Sequence, residues 1–221
     1  MKKPKKPLPQ PVKSAPSLLR TVRLTAWVAV LAVAFVAGVM WMSNLLNRDL
    51  SGTGGARPAA IGIGGAFTLT DTNGKRVSEA DLAGRPTVLF FGYTFCPDVC
   101  PTTLTEATQW LTALGKDADK LRVVFVSVDP GRDTPETLKT YLTAFDPRIQ
   151  GWSGTEAEIA QLKTAYRVFV RKVERPGGEY LIDHTATVYL LDASGTFAGT
   201  IAYGEATDTA MAKLKRLIGG A

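Results

Sequence analysis

The apolar positions along this chain fall into three regimes. From Leu24 to Asn47 there are 24 residues without a charge, and the stretch from Leu24 to Met42, LTAWVAVLAVAFVAGVMWM, is almost wholly apolar. Residues 48–66, RDLSGTGGARPAAIGIGGA, have no period and are rich in glycine and small residues, so they read as a linker. From Phe67 onward short apolar runs alternate with amphipathic ones. FTLT, then Asp71 to Gly74, then KRVS gives a hairpin signal with Asn73-Gly74 as its turn. Thr87–Phe91 (TVLFF) and Leu121–Val128 (LRVVFVSV) are nearly continuous apolar runs, which predict central strands covered on both faces. Between them Leu104, Ala107, Leu111 and Leu114 recur at helical spacing up to Gly115. Thr134, Pro135 and Glu136 open a second helix reaching about Phe145, and the capping box of Thr155 with Glu158 opens a third that ends near Tyr166. Strands are expected at Val168–Val173, Thr185–Leu191 and Phe197–Ile201, the last two joined through Asp192–Gly195. Met211, Leu214, Leu217 and Ile218 mark a closing amphipathic helix.

This order of strands and helices describes one α/β domain over residues 67–221, a mixed sheet flanked by helices. It resembles a thioredoxin-like fold with an N-terminal β-hairpin extension, preceded by one transmembrane helix. Crossing about 30 Å of hydrocarbon takes roughly 20 apolar residues, which residues 24–47 supply. The competing reading is a cleaved signal peptide, whose apolar stretch is about 7–15 residues and ends in a small-x-small site. Here the run is longer, it exits through the bulky Trp41 and Met42, and Trp27 and Trp41 stand near its two ends, where amphipathic rings favour the membrane interface.

The charge distribution orients that anchor. The net charge of +6 is carried by residues 1–23, which hold seven basic side chains and no acid, while the remaining 198 residues hold 19 basic and 20 acidic ones. The exported part is therefore near neutral, and no nucleic-acid partner is expected. Lysines before the helix place a basic tail, residues 1–23, in the cytoplasm and the domain outside it. KKPKKPLPQPVK is rich in Lys and broken by prolines, unlike an Arg- and Ser-rich mitochondrial transit helix. The expected location is a bacterial inner membrane, crossed once, with the functional domain in the periplasm.

Composition then narrows the chemistry. One histidine and two cysteines exclude a two-His zinc protease motif, the two-His, two-Cys dicopper centre of an oxidase subunit, a four-cysteine zinc finger and an iron–sulfur cluster. There is no haem-attachment string, no phosphate loop and no complete nucleophile elbow. Gly62, Gly64 and Gly65 approach a dinucleotide fingerprint, but Phe67 takes the place of the third glycine and no strand precedes them.

Both cysteines stand at the end of the first central strand, in Phe91–Pro101, a position where α/β sheets gather ligands and nucleophiles. Cys96 followed by Pro97 and Asp98 reads as a helix start, which would set Cys96 and Cys100 on one helical face and favour their thiolates. Three uses compete. A structural disulfide closing so short a loop gains little chain entropy. A redox dithiol is normally C-x-x-C, and this spacing is one residue longer. A soft-metal site suits C-x-x-x-C. His184 decides between the last two, because it precedes the strand Thr185–Leu191, where redox members of thioredoxin-like folds place a cis-proline, and no proline lies between Gly177 and Thr185. Two thiolates and one imidazole, with no further Cys or His to complete a zinc shell, favour copper. A peroxidase would need an arginine beside Cys96; none adjoins it in sequence, although Arg132 is available to the fold.

At these residues the chain resembles the SCO/SenC family, on FGYTFCPDVCP (Phe91–Pro101), SVDPGRDTPETL (Ser127–Leu138) and DHTATVYLLD (Asp183–Asp192), over about Ile63 to Ile218. The resemblance implies a membrane-anchored thioredoxin-like domain in which Cys96, Cys100 and His184 bind copper, as Cu(I) with Cu(II) as a second state. It implies a partner, cytochrome c oxidase subunit II, which receives copper at its dicopper centre or has its cysteines reduced before metallation, and an upstream periplasmic copper donor or thiol reductant. Asp98, Asp129, Asp133 and Asp183 fall in or beside the motifs, either shaping a docking face and orienting His184 or serving as turn and cap residues. DPGRDTP supplies a turn and a helix start, which favours the structural reading for Asp129 and Asp133.

Overall fold

The computed structural model describes residues 62–220, together with Trp27, residues 31–32 and residues 34–42. Two units, Met1–Pro58 and Ala59–Ala221, each have their own internal contacts. In the first, the described residues are helical and bear exposed large apolar side chains, Phe35 at 71% and Trp41 at 69%. Among the described residues no helix is long and apolar enough to cross a membrane. The rest of the expected span, the basic tail and the linker up to residue 61 lie outside the described residues.

In the second unit the strands are β1 (Thr68–Asp71), β2 (Arg76–Ser78), β3 (Thr87–Gly92), β4 (Arg122–Ser127), β5 (Ile149–Ser153), β6 (Val170–Glu174), β7 (Tyr180–His184), β8 (Val188–Leu191) and β9 (Phe197–Ile201). The helices are α1 (Val99–Leu114), α2 (Pro135–Leu142), α3 (Glu156–Tyr166) and α4 (Thr207–Gly219). Seven strands form one sheet in the order β2-β1-β5-β4-β3-β8-β9, with β3, β4 and β5 parallel and the remainder antiparallel. This is the mixed sheet with flanking helices expected from the sequence.

The continuous apolar runs become the middle of the sheet for a physical reason. All six residues of β3 are buried, so both faces are covered, and it pairs in register from Thr87↔Arg122 to Gly92↔Ser127 with β4. Helix α1 turns Cys100, Leu104, Ala107, Leu111 and Leu114 inward at the expected spacing and stops at Gly115, whose φ of 56° favours glycine. The hairpin turn at Asn73-Gly74 and the capping box at Thr155 with Glu158 form as read.

Four expectations need correction. Helix α1 begins at Val99, after Asp98, so Cys96 sits on the preceding turn rather than on the helix. Helix α2 stops at Leu142, short of Phe145. The strand β5 was not expected; Gly151 and the alternation of IQGWS hide it, yet it joins β1 and β4. The segment running into Thr185–Leu191 is two strands. Here β7 pairs with β6 as a separate two-stranded ribbon turned at Gly177 and Gly178, both at positive φ, and only β8 enters the main sheet. The last residues of the expected linker are also tied to the domain: Gly64 N–H donates to the Ala165 carbonyl at 2.8 Å.

Candidate metal centre

The site forms where β3 ends. After Gly92 the chain turns through Tyr93–Asp98 and enters α1, which brings Cys96 and Cys100 to the carboxyl edge of a central strand. Cys96 N–H donates to the Tyr93 carbonyl at 3.3 Å, closing that turn. Cys100 is completely buried, on the core side of the first turn of α1, while Cys96 is half-buried. His184 reaches them from the end of β7. One ligand atom from each of the three residues lies within 4.8 Å of the others, a group able to hold a metal ion.

Each donor is aimed by its surroundings. The Cys100 N–H donates to Cys96 Sγ at 3.4 Å, so an orphan donor of the first helical turn faces the sulfur. Cys100 Sγ stands 3.4 Å from His184 Nε2. The other ring nitrogen, Nδ1, is 3.1 Å from the Thr185 carbonyl, a contact that orients the ring with Nε2 toward the sulfurs. Tyr93 and Phe90 pack edge-on against the imidazole, with centroids at 5.7 and 6.3 Å.

The two thiols are held in opposite states. Cys96 is brought down to about 4, foremost by a hydrogen bond from the Cys100 side chain, with help from His184 and the Asp98 and Cys100 backbone amides against the opposing effect of burial. The same hydrogen bond, read from the donor side, together with burial pushes Cys100 far above the usual thiol range. The pair therefore holds one thiolate and one proton. A metal held here would have to displace that proton to gain the second sulfur.

Gly92 was not singled out as a functional residue in the sequence, and its role is steric. A Cβ on Gly92 would lie 2.6 Å from Cys100 Sγ and 2.6 Å from Phe125 Cε2, so only glycine lets the sulfur tuck against the strand. The signal was its place in FGYTFCPDVCP at the end of an apolar run, which by itself does not distinguish close approach from a turn.

The acidic residues sort differently. Asp133 is buried and accepts from the Thr94 N–H at 2.9 Å and from the hydroxyls of Thr94 and Ser127 at 2.6 Å each, fixing the strand end to the cysteine turn. Asp129 is buried, pairs with Arg132 and accepts from the Tyr180 hydroxyl. Asp183 pairs with Arg171 across the ribbon, leaving the orientation of His184 to the Thr185 carbonyl. Asp98 caps α1 without a side-chain bond to the helix backbone and accepts from the Thr102 hydroxyl. The Arg132 guanidinium lies over the Tyr180, Phe95 and Tyr93 rings at 3.6, 4.6 and 5.7 Å. A cleft of about 890 Å³ lined by Lys75, Arg85, Arg122 and Trp152 shares no residue with this group.

Comparison with known proteins gives one consistent relationship. The profile of the SCO1/SenC family matches residues 56–219. The Saccharomyces cerevisiae mitochondrial protein SCO2 is 31% identical over 218 residues, covering 95% of this chain and 71% of that protein. The copper-bound structure of Bradyrhizobium japonicum ScoI is 53% identical, with a TM-score of 0.66 over 70% of this chain and 99% of that one. The copper-bound structure of yeast Sco1 is 33% identical, with a TM-score of 0.66 over 72% and 90% of the two chains. On the fold, the motif and these likenesses together, the chain belongs to the SCO1/SenC family.

Proposed function

We propose that this protein is a membrane-anchored copper chaperone that binds one copper through Cys96, Cys100 and His184 and delivers it to the dicopper centre of cytochrome c oxidase subunit II. The observation that carries the reading is the convergence of two sulfurs and one imidazole nitrogen within 4.8 Å at the half-open edge of the sheet. Soft sulfur selects Cu(I), imidazole is acceptable to copper, and three donors leave a structural zinc shell incomplete. The copper-bound relatives support the same metal. The apolar run at residues 24–47 tethers the domain to a bacterial inner membrane with the site in the periplasm. Copper reaches it from an upstream periplasmic donor. Transfer proceeds by ligand exchange, an incoming thiolate replacing one donor at a time. The test incubates the Cu(I)-loaded full chain with metal-free subunit II and follows copper into the subunit. Loss of transfer with Cys96→Ser or Cys100→Ser supports the reading, and undiminished transfer by either variant overturns it.

The split of the cysteine pair favours a second reading, thiol–disulfide reduction of that subunit or of other exported proteins. The half-exposed Cys96 thiolate would attack a target disulfide, Cys100 would resolve the mixed disulfide, and two electrons would pass to the target. A separate thiol reductant would then restore the pair. Under this reading His184→Ala leaves reduction intact, whereas either cysteine variant abolishes it.

A further inference from the structure

The three donors belong to two parts of the fold that share no strand pairing. Cys96 and Cys100 hang from β3 and α1, whereas His184 ends a two-stranded ribbon that is not hydrogen-bonded to the main sheet. The ribbon packs on the domain through Ile182, which is buried in the core, with Val170 and Tyr180 partly buried against it, and it leaves a gap beside these contacts. A cavity of about 370 Å³ is lined by Tyr180 and Ile182 of the ribbon on one side and Asp129, Gly131 and Ile159 on the other. A few polar contacts bridge the two parts. The Tyr180 hydroxyl donates to Asp129 Oδ1 at 2.8 Å, Arg132 Nη1 donates to the Tyr180 carbonyl at 3.1 Å, and the Ile182 N–H donates to the Tyr93 hydroxyl at 3.2 Å. Arg132 is itself fixed by its 2.5 Å pairing with Asp129 and lies 3.6 Å over the Tyr180 ring. None of these side chains is a metal donor, yet all bear on the strand that ends at His184.

We propose that Tyr93, Asp129, Arg132 and Tyr180 form a latch that holds the His184 ribbon against the cysteine turn and sets the rate at which copper leaves. The inference rests on the three-ligand reading above. They are positioning residues, acting through His184. With the latch closed, Nε2 completes the shell. When it opens, the bond from copper to Nε2 breaks and a bond to an incoming thiolate sulfur forms. Copper stays Cu(I), no electron moves, and Nε2 keeps its lone pair. As the metal departs, the bonds from copper to the two sulfurs break while further donors of the acceptor take their place; Cys96 remains a thiolate and Cys100 takes a proton back from solvent. The anchoring groups surround a charged pair, Asp129 with Arg132, so each bond lost should change the opening equilibrium substantially.

The test uses the full chain in detergent with Tyr180→Phe and, as a second variant, Tyr93→Phe, each alone and combined with His184→Ala. Two quantities are read: amide hydrogen exchange of the copper-free protein, and the rate at which excess chelator captures Cu(I) from the loaded one. Tyr180→Phe is expected to speed exchange in β6 and β7 by about tenfold or more while leaving β3 and β4 unchanged, and to speed capture by a similar factor. In the His184→Ala background it should speed capture no further. Ribbon exchange unchanged in both tyrosine variants overturns the latch. Acceleration of capture that is equal with and without His184 overturns its action through the imidazole. Should His184→Ala alone leave copper affinity untouched, the three-ligand reading fails and the release role with it, a result separable from the exchange measurement on copper-free protein.

Discussion

Replacing Gly92 by alanine tests whether the metal centre is built into the sheet or only placed beside it. The added Cβ would lie 2.6 Å from Cys100 Sγ and 2.6 Å from Phe125 Cε2, roughly 1 Å inside ordinary contact. Phe125 and Cys100 are both fully buried, and Phe125 is stacked on Phe90 at 5.7 Å, so the added Cβ must push either the ring or the smaller Cys100 side chain off its place. Overpacking of this kind costs about 1–3 kcal/mol. If copper binding draws Cys100 back to its place, that strain is paid in the bound state and lowers Cu(I) affinity by about 5- to 150-fold. The assay is competition against a Cu(I) chelator, alongside urea unfolding of the copper-free protein. Gly151→Ala is the control: its Cβ would meet Leu142 Cδ1 at 2.6 Å and Leu138 Cγ at 2.9 Å, a comparable intrusion at a site away from the donors. Gly151→Ala should lose stability and keep its copper affinity. Equal affinities for Gly92→Ala and the unaltered protein would refute the claim that glycine at this position makes the site.

Further expectations follow from the same contacts. The depressed pKa of Cys96 means that its alkylation by iodoacetamide should persist from neutral pH down toward about 4, where an ordinary thiol has long since lost its reactivity, while Cys100 stays inert; a Cys96 rate that declines below pH 8 would contradict this. Because folding lowers that pKa from 9.0, the thiolate adds stability above 9.0 that is lost as pH falls through about 4, so urea unfolding at pH 7 and pH 4 should show a larger drop for the unaltered chain than for Cys96→Ser. With one proton resident on Cys100, Cu(I) binding near pH 7 should release about one proton, read by calorimetry in buffers of different ionisation heat; release of about two would place both cysteines as thiols. Asp133→Ala would strand the Thr94 N–H and two hydroxyls and should cost about 1–3 kcal/mol in urea unfolding; an unchanged midpoint would refute the role given to that carboxylate.

The parts of the fold that were legible in the sequence are those where a single physical demand dominates. TVLFF and LRVVFVSV announce central strands because burial on both faces leaves room for nothing polar, and the stripe from Leu104 to Leu114 has the one period a half-buried helix allows. The strand β5 escaped because its five residues include Gly151, kept small by Leu138 and Leu142 in the folded chain, a tertiary constraint invisible in the local pattern. The ribbon escaped because the reading places no strand at Tyr180–His184 and begins the next one at Thr185, although β8 starts only at Val188. At the candidate metal centre the three side chains that converge could be named from residue type and spacing. Their geometry could not: Cys96 lies off the helix, its sulfur receives an amide rather than sharing a helical face, and the imidazole is oriented by the backbone of its neighbour. Asp129 and Asp133 are buried and structural, but not as the cap residues expected: Thr134 caps the helix, while the two carboxylates brace the cysteine turn and the ribbon.

The central claim is a three-donor copper site, and the most direct measurement is copper stoichiometry and Cu(I) affinity of the reduced full chain beside Cys96→Ser, Cys100→Ser and His184→Ala. The account predicts one copper per chain, with affinity lowered by every one of the three substitutions. Binding that is indifferent to His184→Ala, or to either cysteine change, would contradict it.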